Sequence, residues 1–375
     1  MVRAMNRLSV LVVGAGIGGL TAAIALRQRG FAVHLIEKDP AWSVYGVGII
    51  QQGNVLRAVQ QLGLLDRYID AGAGFDAVEV FLPNGIKVAR VPSPRLLADR
   101  PANLGVSRRA LHQVLADAAR EAGATLQLGV TLATADSQAD GVAVTLSDGS
   151  TRTFDLVIGA DGVHSQLRGL VAPDAPPPAF TGQAVWRCNL PKPAGLDALQ
   201  VYNGPTGAGL VPIGPDLMYV YLTTPEPENP RFAREGMAAR MRERTAGCAP
   251  AIRELAAQIT DDDAVVYRPL EWLMLEGPWH RGRLVLLGDA VHATTPHLGQ
   301  GAGLAIEDSL VLAEELARHT TIEAALQAYR ARRFERCAYI VRASLAICLG
   351  QLGKGPPVDN AKATAEMFAL TAQPI

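Results

Sequence analysis

The chain opens on Leu8-Ser-Val-Leu-Val-Val13, apolar at all but one position, and then turns abruptly to glycine in Gly14-Ala-Gly-Ile-Gly-Gly19. A short apolar run stopped by glycine predicts a buried strand, the run Leu20 to Arg29 closed by Gly30 predicts a helix, and Ala32 to Ile36 predicts a second strand. Together they form a βαβ unit. Val55, Leu56, Val59 and Leu62 recur at helical spacing with Gly63 as the stop, so a helix over Asn54 to Leu62 follows a glycine-rich loop from Tyr45 to Gly53. Ser107 is suited to cap a helix that buries Ala110, Leu111, Val114, Leu115 and Ala118 and ends at Gly123. Val142 to Leu146 and Thr151 to Ile158 flank Asp148-Gly149, a hairpin signal, and the second of these strands runs out into Gly159-Ala-Asp161-Gly162.

From about Pro173 to Pro269 the texture changes to strand-like segments, among them Gln183 to Asn189, Leu199 to Tyr202 and Leu217 to Leu222, separated by Pro- and Gly-rich turns. This predicts a second, mainly β lobe. Leu284 to Leu287 is a further apolar strand that ends in Gly288-Asp289. After it the pattern is helical nearly to Gly350, with Thr320-x-x-Glu323 as a capping box and a loosely packed tail. The expected class is α/β. A nucleotide-binding Rossmann-like domain takes 1–72, 101–172 and 276–320, a β-rich lobe takes 73–100 and 173–275, and helices and tail take 321–375.

Composition narrows the choices. A chain of 375 residues, 49% of them hydrophobic, can bury a large core, and 35 basic against 36 acidic residues leave a net charge of -1, which offers no footprint for nucleic acid or an anionic membrane. The cysteines Cys188, Cys248, Cys337 and Cys348 form no C-x-x-C pair, so neither a metal site nor a disulfide framework is expected and a reducing cytoplasm fits. No stretch approaches the ~18 apolar residues of a spanning helix. A soluble monomer or homodimer is expected.

Gly14-x-Gly16-x-x-Gly19 lies between a strand and a helix, with Glu37 at the end of the next strand. Turns without Cβ let backbone N–H groups and a helix N-terminus approach a pyrophosphate, while a carboxylate accepts hydrogen bonds from ribose. The expected contacts are Gly14, Ala15, Gly16, Ile17, Gly18, Gly19, Glu37 and Lys38. The bland reading is a tight turn, and the motif alone does not choose between FAD and NAD.

Asp155-Leu-Val-Ile-Gly-Ala-Asp161-Gly162-Val-His-Ser165-Gln-Leu-Arg168 resembles the Asp-Gly motif of the flavoprotein aromatic hydroxylases, the group that includes para-hydroxybenzoate hydroxylase, salicylate hydroxylase and 6-hydroxynicotinate monooxygenase. Leu284-Val-Leu-Leu-Gly288-Asp289-Ala-Val-His292, followed by Pro296, resembles the same group's Gly-Asp motif, so three motifs stand in the family's order from Leu8 to about Asp308. The resemblance implies an FAD-binding domain of the glutathione reductase type. It also implies a monooxygenase that uses NADH or NADPH and O2 to hydroxylate a small aromatic or N-heteroaromatic substrate through a flavin C4a-hydroperoxide. The alternative on the same fold is a flavin-dependent reductase or dehydrogenase. The paired-tryptophan motif of flavin-dependent halogenases is absent.

Further site residues follow from the resemblance. Asp161 and Gly162 would serve the flavin pyrophosphate and nicotinamide binding, although Asp-Gly is also a common turn. Gly288 and Asp289 end a strand at the carboxyl edge of the sheet, where Asp289 could accept from a ribityl hydroxyl or merely cap a helix. Pro296, Gly299, Gln300, Gly301 and Ala302 form the loop that lies beside the isoalloxazine ring in the family, and Arg108 matches an arginine that contacts the flavin. Where family members often carry an arginine before the segment matching Gly46-Val-Gly48-Ile49, this chain has Trp42, Ser43, Val44 and Tyr45. Gln183, Trp186, Arg187, Tyr202, Tyr219 and Tyr221 lie on predicted strands of the second lobe, and a tyrosine or arginine there could bind a phenolate or carboxylate. All but Trp186 are taken, with Pro296 and His297, as substrate contacts. His297 and Tyr219 are the candidates for catalysis, with Tyr202 a further possible base.

Overall fold

The computed structural model describes residues 8–44, 47–204 and 207–375. Tyr45 and Gly46, part of the expected glycine-rich loop, lie outside the described residues.

Six strands form the nucleotide-domain sheet, in the order His280–Arg281, Leu284–Leu286, Leu156–Gly159, Ser9–Val13, Ala32–Glu37, Thr125–Leu128. All pair in parallel except the first. The central strands Ser9–Val13, Leu156–Gly159 and Leu284–Leu286 are, Ser9 aside, apolar and buried, as strands covered on both faces of a parallel sheet must be. Val13 stands opposite Gly159, and Gly159 opposite Leu286, so the three motifs leave neighbouring strands at one level of the carboxyl edge. That register gathers residues as far apart in the chain as Val13 and Leu286. A Cβ on Gly14 would come within 2.4 Å of the Ala160 carbonyl oxygen, so only glycine allows the first two motifs to pass this closely.

The second lobe is a seven-stranded sheet, in the order Val266–Trp272, Ala179–Pro191, Leu217–Pro225, Gly207–Pro212, Leu199–Tyr202, Ala77–Phe81, Lys87–Pro92. Its strands alternate between two environments. Trp186, Cys188, Met218, Val220 and Leu222 face a core completed by the helices Met237–Glu243 and Pro250–Ala257, so the lobe carries a helical backing that its strand pattern did not announce. Arg187, Tyr219 and Tyr221 occupy the other face.

Several expectations change. Gly48–Gln52, expected as loop, is a strand paired with Asn103–Ser107, a partner too distant in sequence for local pattern to reveal. The single strand expected over Thr151 to Ile158 divides into Thr151–Phe154 in a small antiparallel sheet and Leu156–Gly159 in the parallel one. Asp155 marks the division, its carboxylate accepting from the backbone N–H and hydroxyl of Ser9 at 2.7 and 2.8 Å. Thr321, not Thr320, caps the helix Ile322–Gln351, accepting from the Ala324 N–H at 3.3 Å. The tail beyond Gly350 is not loose. It forms the helix Asn360–Ala372, and Arg57 donates to the carbonyls of Thr371, Ala372 and Gln373 while Arg336 donates to those of Gln373 and Pro374. Among the described residues, no helix is long and apolar enough to cross a membrane.

Candidate active site

One continuous cavity of about 1320 Å³ runs from the glycine-rich turn at Gly16 to the open face of the seven-stranded sheet. Ala15, Gly16, Ile17 and Gly18 line its first end at the start of the helix Ile17–Gln28, where first-turn N–H groups have no carbonyl one turn earlier to bond. Gly14 and Gly19 act from behind, since a Cβ on Gly19 would fall 1.8 Å from the Gly14 carbonyl oxygen. Glu37 also lines this end, its carboxylate accepting from the Ala15 N–H at 2.9 Å and the Asp39 N–H at 3.0 Å. Lys38 is exposed and does not line the cavity.

Trp42 stands close to where the family's arginine was expected. Its backbone is left-handed at φ 49°, its indole N–H donates to the Ala15 carbonyl at 3.1 Å, and its ring meets His112 edge-on at 4.6 Å. The tryptophan therefore braces the turn that the sequence comparison had left short of a contact.

At the sheet edge, Gly162 lines the cavity with φ 82°, while Asp161 turns one oxygen to the N–H groups of Gln166 and Leu167 at 2.8 and 3.2 Å. Its other oxygen is buried without a partner among the described residues. Arg168 ties the two carboxyl-edge motifs together, donating to the carbonyls of Ala290 and Val163 at 3.1 and 2.8 Å. Asp289 opens onto the cavity floor with no hydrogen-bond partner among the described residues. Its deep position raises its pKa, an effect that His292 and Arg108 oppose. Behind it, Asp308 accepts from the Gly288 N–H at 3.0 Å, His292 Nε2 at 2.6 Å and Arg333 Nε at 2.8 Å. Burial works against the His292 charge, but Cys337 and Asp308 outweigh it and raise its pKa well above the ordinary value. His292, Asp308 and Cys337 lie close together, but with Arg333 also on Asp308 the group forms a closed ion network that fixes Gly288.

Pro296, His297, Gly299, Gly301 and Ala302 line the cavity at the start of the helix Gly301–Arg318. Gln300 is buried beneath them, donating to Gln52 Oε1 and to Asn54 Oδ1 at 3.1 Å. His297 uses both ring nitrogens, Nδ1 accepting from the Thr295 hydroxyl at 3.0 Å and Nε2–H donating to Gln351 Oε1 at 3.2 Å. Burial pushes its pKa down to about 4, against the opposing bond to Gln351, so the imidazole is neutral at ordinary pH.

The opposite wall is the open sheet face. Arg187 stands across from Tyr221, and Asn189 across from Tyr219. Two glycines make room for the tyrosines: a Cβ on Gly209 would lie 2.3 Å from the Tyr221 ring, and one on Gly48 would lie 2.5 Å from the Tyr219 ring. Burial raises the Tyr219 pKa although Arg187 and Arg108 oppose it, so the phenol keeps its proton. Burial likewise raises Tyr221. Arg108 lines the cavity and interacts with both Tyr219 and Asp289, linking the cofactor side to this wall.

The expected set of six strand residues does not share a face. Trp186 and Tyr202 lie in the lobe's rear core, where Tyr202 stacks on Phe81 at 4.5 Å and donates its hydroxyl to Gln200, although part of Tyr202 also lines the cavity. Gln183 does not line the cavity and reaches it through Gln351, to which it donates at 3.0 Å. Sequence reasoning also missed Arg268, which lines the cavity from the strand Val266–Trp272, and the far wall of Ile347, Thr364, Met367 and Phe368. Nothing in the local sequence pattern singled out Arg268, whose face is set by the pairing of Val266–Trp272 with Ala179–Pro191.

Residues 7–344 match the sequence pattern of a family described as FAD binding domain. The chain belongs to that family. It is 32% identical over 355 residues to aurachin C monooxygenase/isomerase of Stigmatella aurantiaca, covering 92% of this chain and 90% of that one. It is 31% identical to 6-hydroxynicotinate 3-monooxygenase of Pseudomonas fluorescens, covering 89% and 90% respectively. Among solved structures, HpxO of Klebsiella pneumoniae complexed with FAD and uric acid superposes with a TM-score of 0.84 at 28% identity, covering 97% of this chain and 92% of that one. The architecture is thus the FAD-binding family's Rossmann-like domain with an inserted sheet lobe and a C-terminal helical segment.

Proposed function

We propose that the protein is a cytoplasmic FAD-dependent monooxygenase that takes electrons from NADH or NADPH and inserts one atom of O2 into a small aromatic or N-heteroaromatic ring. The carrying observation is that the family's three motifs and the polar face of the second sheet meet in one cavity.

The residues fit FAD. A carboxylate at Asp289 with no hydrogen-bond partner among the described residues supplies an acceptor for ribityl hydroxyls, while a glycine turn at a helix N-terminus and the start of a long helix at Gly301 supply donors for anionic oxygens. Gly14 to Gly19 and Glu37 would hold the pyrophosphate and ribose end, Asp161 and Gly162 the middle, and Arg108 with Pro296 to Ala302 the ring. When bound, FAD supplies the electron transfer and oxygen activation that side chains cannot.

The protein's part is binding, orientation and exclusion of water. Tyr219 and Tyr221, protonated and braced by glycines, donate hydrogen bonds to an oxygen on the ring substrate. His297 is neutral with both nitrogens engaged, so it accepts a substrate proton at Nδ1 only by displacing the Thr295 hydroxyl. Met367 and Phe368 close the chamber on an apolar side.

The test is NADH and NADPH oxidation by the FAD-loaded protein with a panel of hydroxylated aromatics and N-heteroaromatics, with products weighed by mass spectrometry. Stimulated oxidation with one added oxygen is expected. An altered but unoxygenated product would replace this reading with a reductase or dehydrogenase.

A further inference from the structure

A small sheet, in which Asn103–Ser107 runs between Gly48–Gln52 and Gly72–Phe75, forms one wall of the cavity. Asn103 stands directly between Gln52 and Phe75, and residues paired across strands point to one face. All three line the cavity. The next residue along, Leu104, goes the other way into the main core. Asn103 is 3% exposed, yet its side-chain amide has no hydrogen-bond partner among the described residues.

The other buried carboxamides among the described residues are all engaged. Gln51 accepts from the Tyr68 hydroxyl at 2.9 Å, Asn54 donates to Gln300 and Glu307 at 3.0 and 2.9 Å, and Gln183 donates to Gln351 at 3.0 Å. Gln52 gives Asn103 nothing, since its own amide donates to the Leu298 carbonyl and accepts from Gln300. A second unpartnered group lies close by. Asp76 ties the two segments together, its carbonyl accepting from the Ser93 N–H at 2.8 Å and its carboxylate from the Ala102 N–H at 2.7 Å, and the Ser93 hydroxyl is buried without a partner among the described residues. Ser93 also lines the cavity.

A buried amide left unpaired costs free energy that a bonded one does not. Around it the cavity is apolar, with Ile50, Val78 and Leu199 beside Phe75, and Phe75 belongs to the same cluster as Tyr219. The cations just before Asn103 are turned elsewhere, Arg95 to Asp76 and Arg100 to Asp66, each at 2.6 Å. The pit therefore offers hydrogen bonds without a counter-charge. Resting on the hydroxylase reading only for placing the substrate in this cavity, we infer that Asn103 is a specificity-determining residue that hydrogen-bonds an uncharged carbonyl substituent, a carboxamide or a ketone, carried by the substrate ring. The ring itself then lies towards Tyr219.

The experiment measures binding alone. FAD-loaded protein, without NADH or NADPH, is titrated with hydroxybenzamides, hydroxyacetophenones and isopropylphenols of the same ring pattern, with flavin absorbance and calorimetry as readouts. The isopropyl group copies the shape of the carbonyl substituents and offers no hydrogen bond. In Asn103→Leu the preference for carbonyl over isopropyl, taken as the ratio of dissociation constants, should fall by about tenfold or more. Asn103→Ala, which adds no atoms to the pit, should lose the preference too. The thermal midpoint of the ligand-free Asn103→Leu protein should not fall, because the amide it removes has no partner, and FAD affinity should be unchanged. A ratio unmoved in both variants, or no binding by any carbonyl compound, would overturn the inference. So would a lowered midpoint in Asn103→Leu with the ratio kept in Asn103→Ala, which would make the residue structural, or weaker FAD binding in both variants, which would assign it to the cofactor. Because turnover plays no part, a protein that binds as described but never oxygenates sinks the hydroxylase reading alone, and a hydroxylase indifferent to Asn103 sinks this inference alone.

Discussion

Gly209→Ala tests whether the sheet face is shaped for a ligand. The added Cβ would lie 2.3, 2.4 and 2.5 Å from Cε1, Cζ and Oη of Tyr221, where carbon atoms rest at about 3.5–4.0 Å. The phenol must therefore move by roughly 1 Å or more. Its backbone cannot follow, because Tyr221 is paired to Arg187 on one side and to Gly209 itself on the other. Overpacking of this kind costs about 1–3 kcal/mol when the ring stays. If the ring instead swings aside, the substrate loses one hydrogen bond worth about 0.5–1.5 kcal/mol, a roughly 2- to 12-fold rise in its dissociation constant. The assay compares substrate binding, FAD binding and thermal midpoint with those of Gly169→Ala, whose Cβ meets nothing within 4 Å. Weaker substrate binding with unchanged FAD binding is expected. A Gly209→Ala protein with wild-type substrate affinity and wild-type thermal midpoint would refute the claim that this glycine makes room for a working tyrosine.

Arg333→Met should destabilise the fold by about 3–5 kcal/mol, read from the denaturant midpoint, because it leaves the two fully buried carboxylates Glu307 and Asp308 short of the cation they share, with only Arg336 and His292 remaining. For His297 the folded pKa of about 4 lies below the unfolded value near 6.5, so its contribution to stability is complete above about pH 6.5 and is lost as pH falls towards 4. The stability difference between wild type and His297→Gln should therefore vary with pH in that window and be flat above it. Histidine NMR should show no protonation of His297 at pH 6. Arg57→Ala removes three bonds to the end of the helix Asn360–Ala372, worth about 1–3 kcal/mol together, and limited proteolysis should cut that helix faster while sparing the rest.

The strand, turn and helix order of the nucleotide domain was legible because each signal is local. Leu8 to Val13 is apolar for a strand buried on both faces, and Ser107 caps its helix by accepting the Ala110 N–H at 3.1 Å, three residues away. The motif residues carried the family for the same reason: a strand that ends in glycine and aspartate declares its edge in its own few residues. The tail was not legible, because the carbonyls that close the helix Asn360–Ala372 are held by Arg57, more than 300 positions earlier.

For the site, chemistry could be read one residue at a time, but facing could not. Arg187, Tyr219 and Tyr221 share a wall only because cross-strand register puts them there, and the same alternation sends Trp186 into the rear core and Tyr202 against Phe81. Arg268 became a site residue only once Val266–Trp272 paired with Ala179–Pro191. The sequence by itself determined the first βαβ unit, the helices after Asn54 and Ser107, the three motifs and the family they belong to, since those depend on neighbours along the chain. Tertiary structure alone decided which side chains meet in the cavity, because meeting depends on register and packing between segments that the chain keeps far apart.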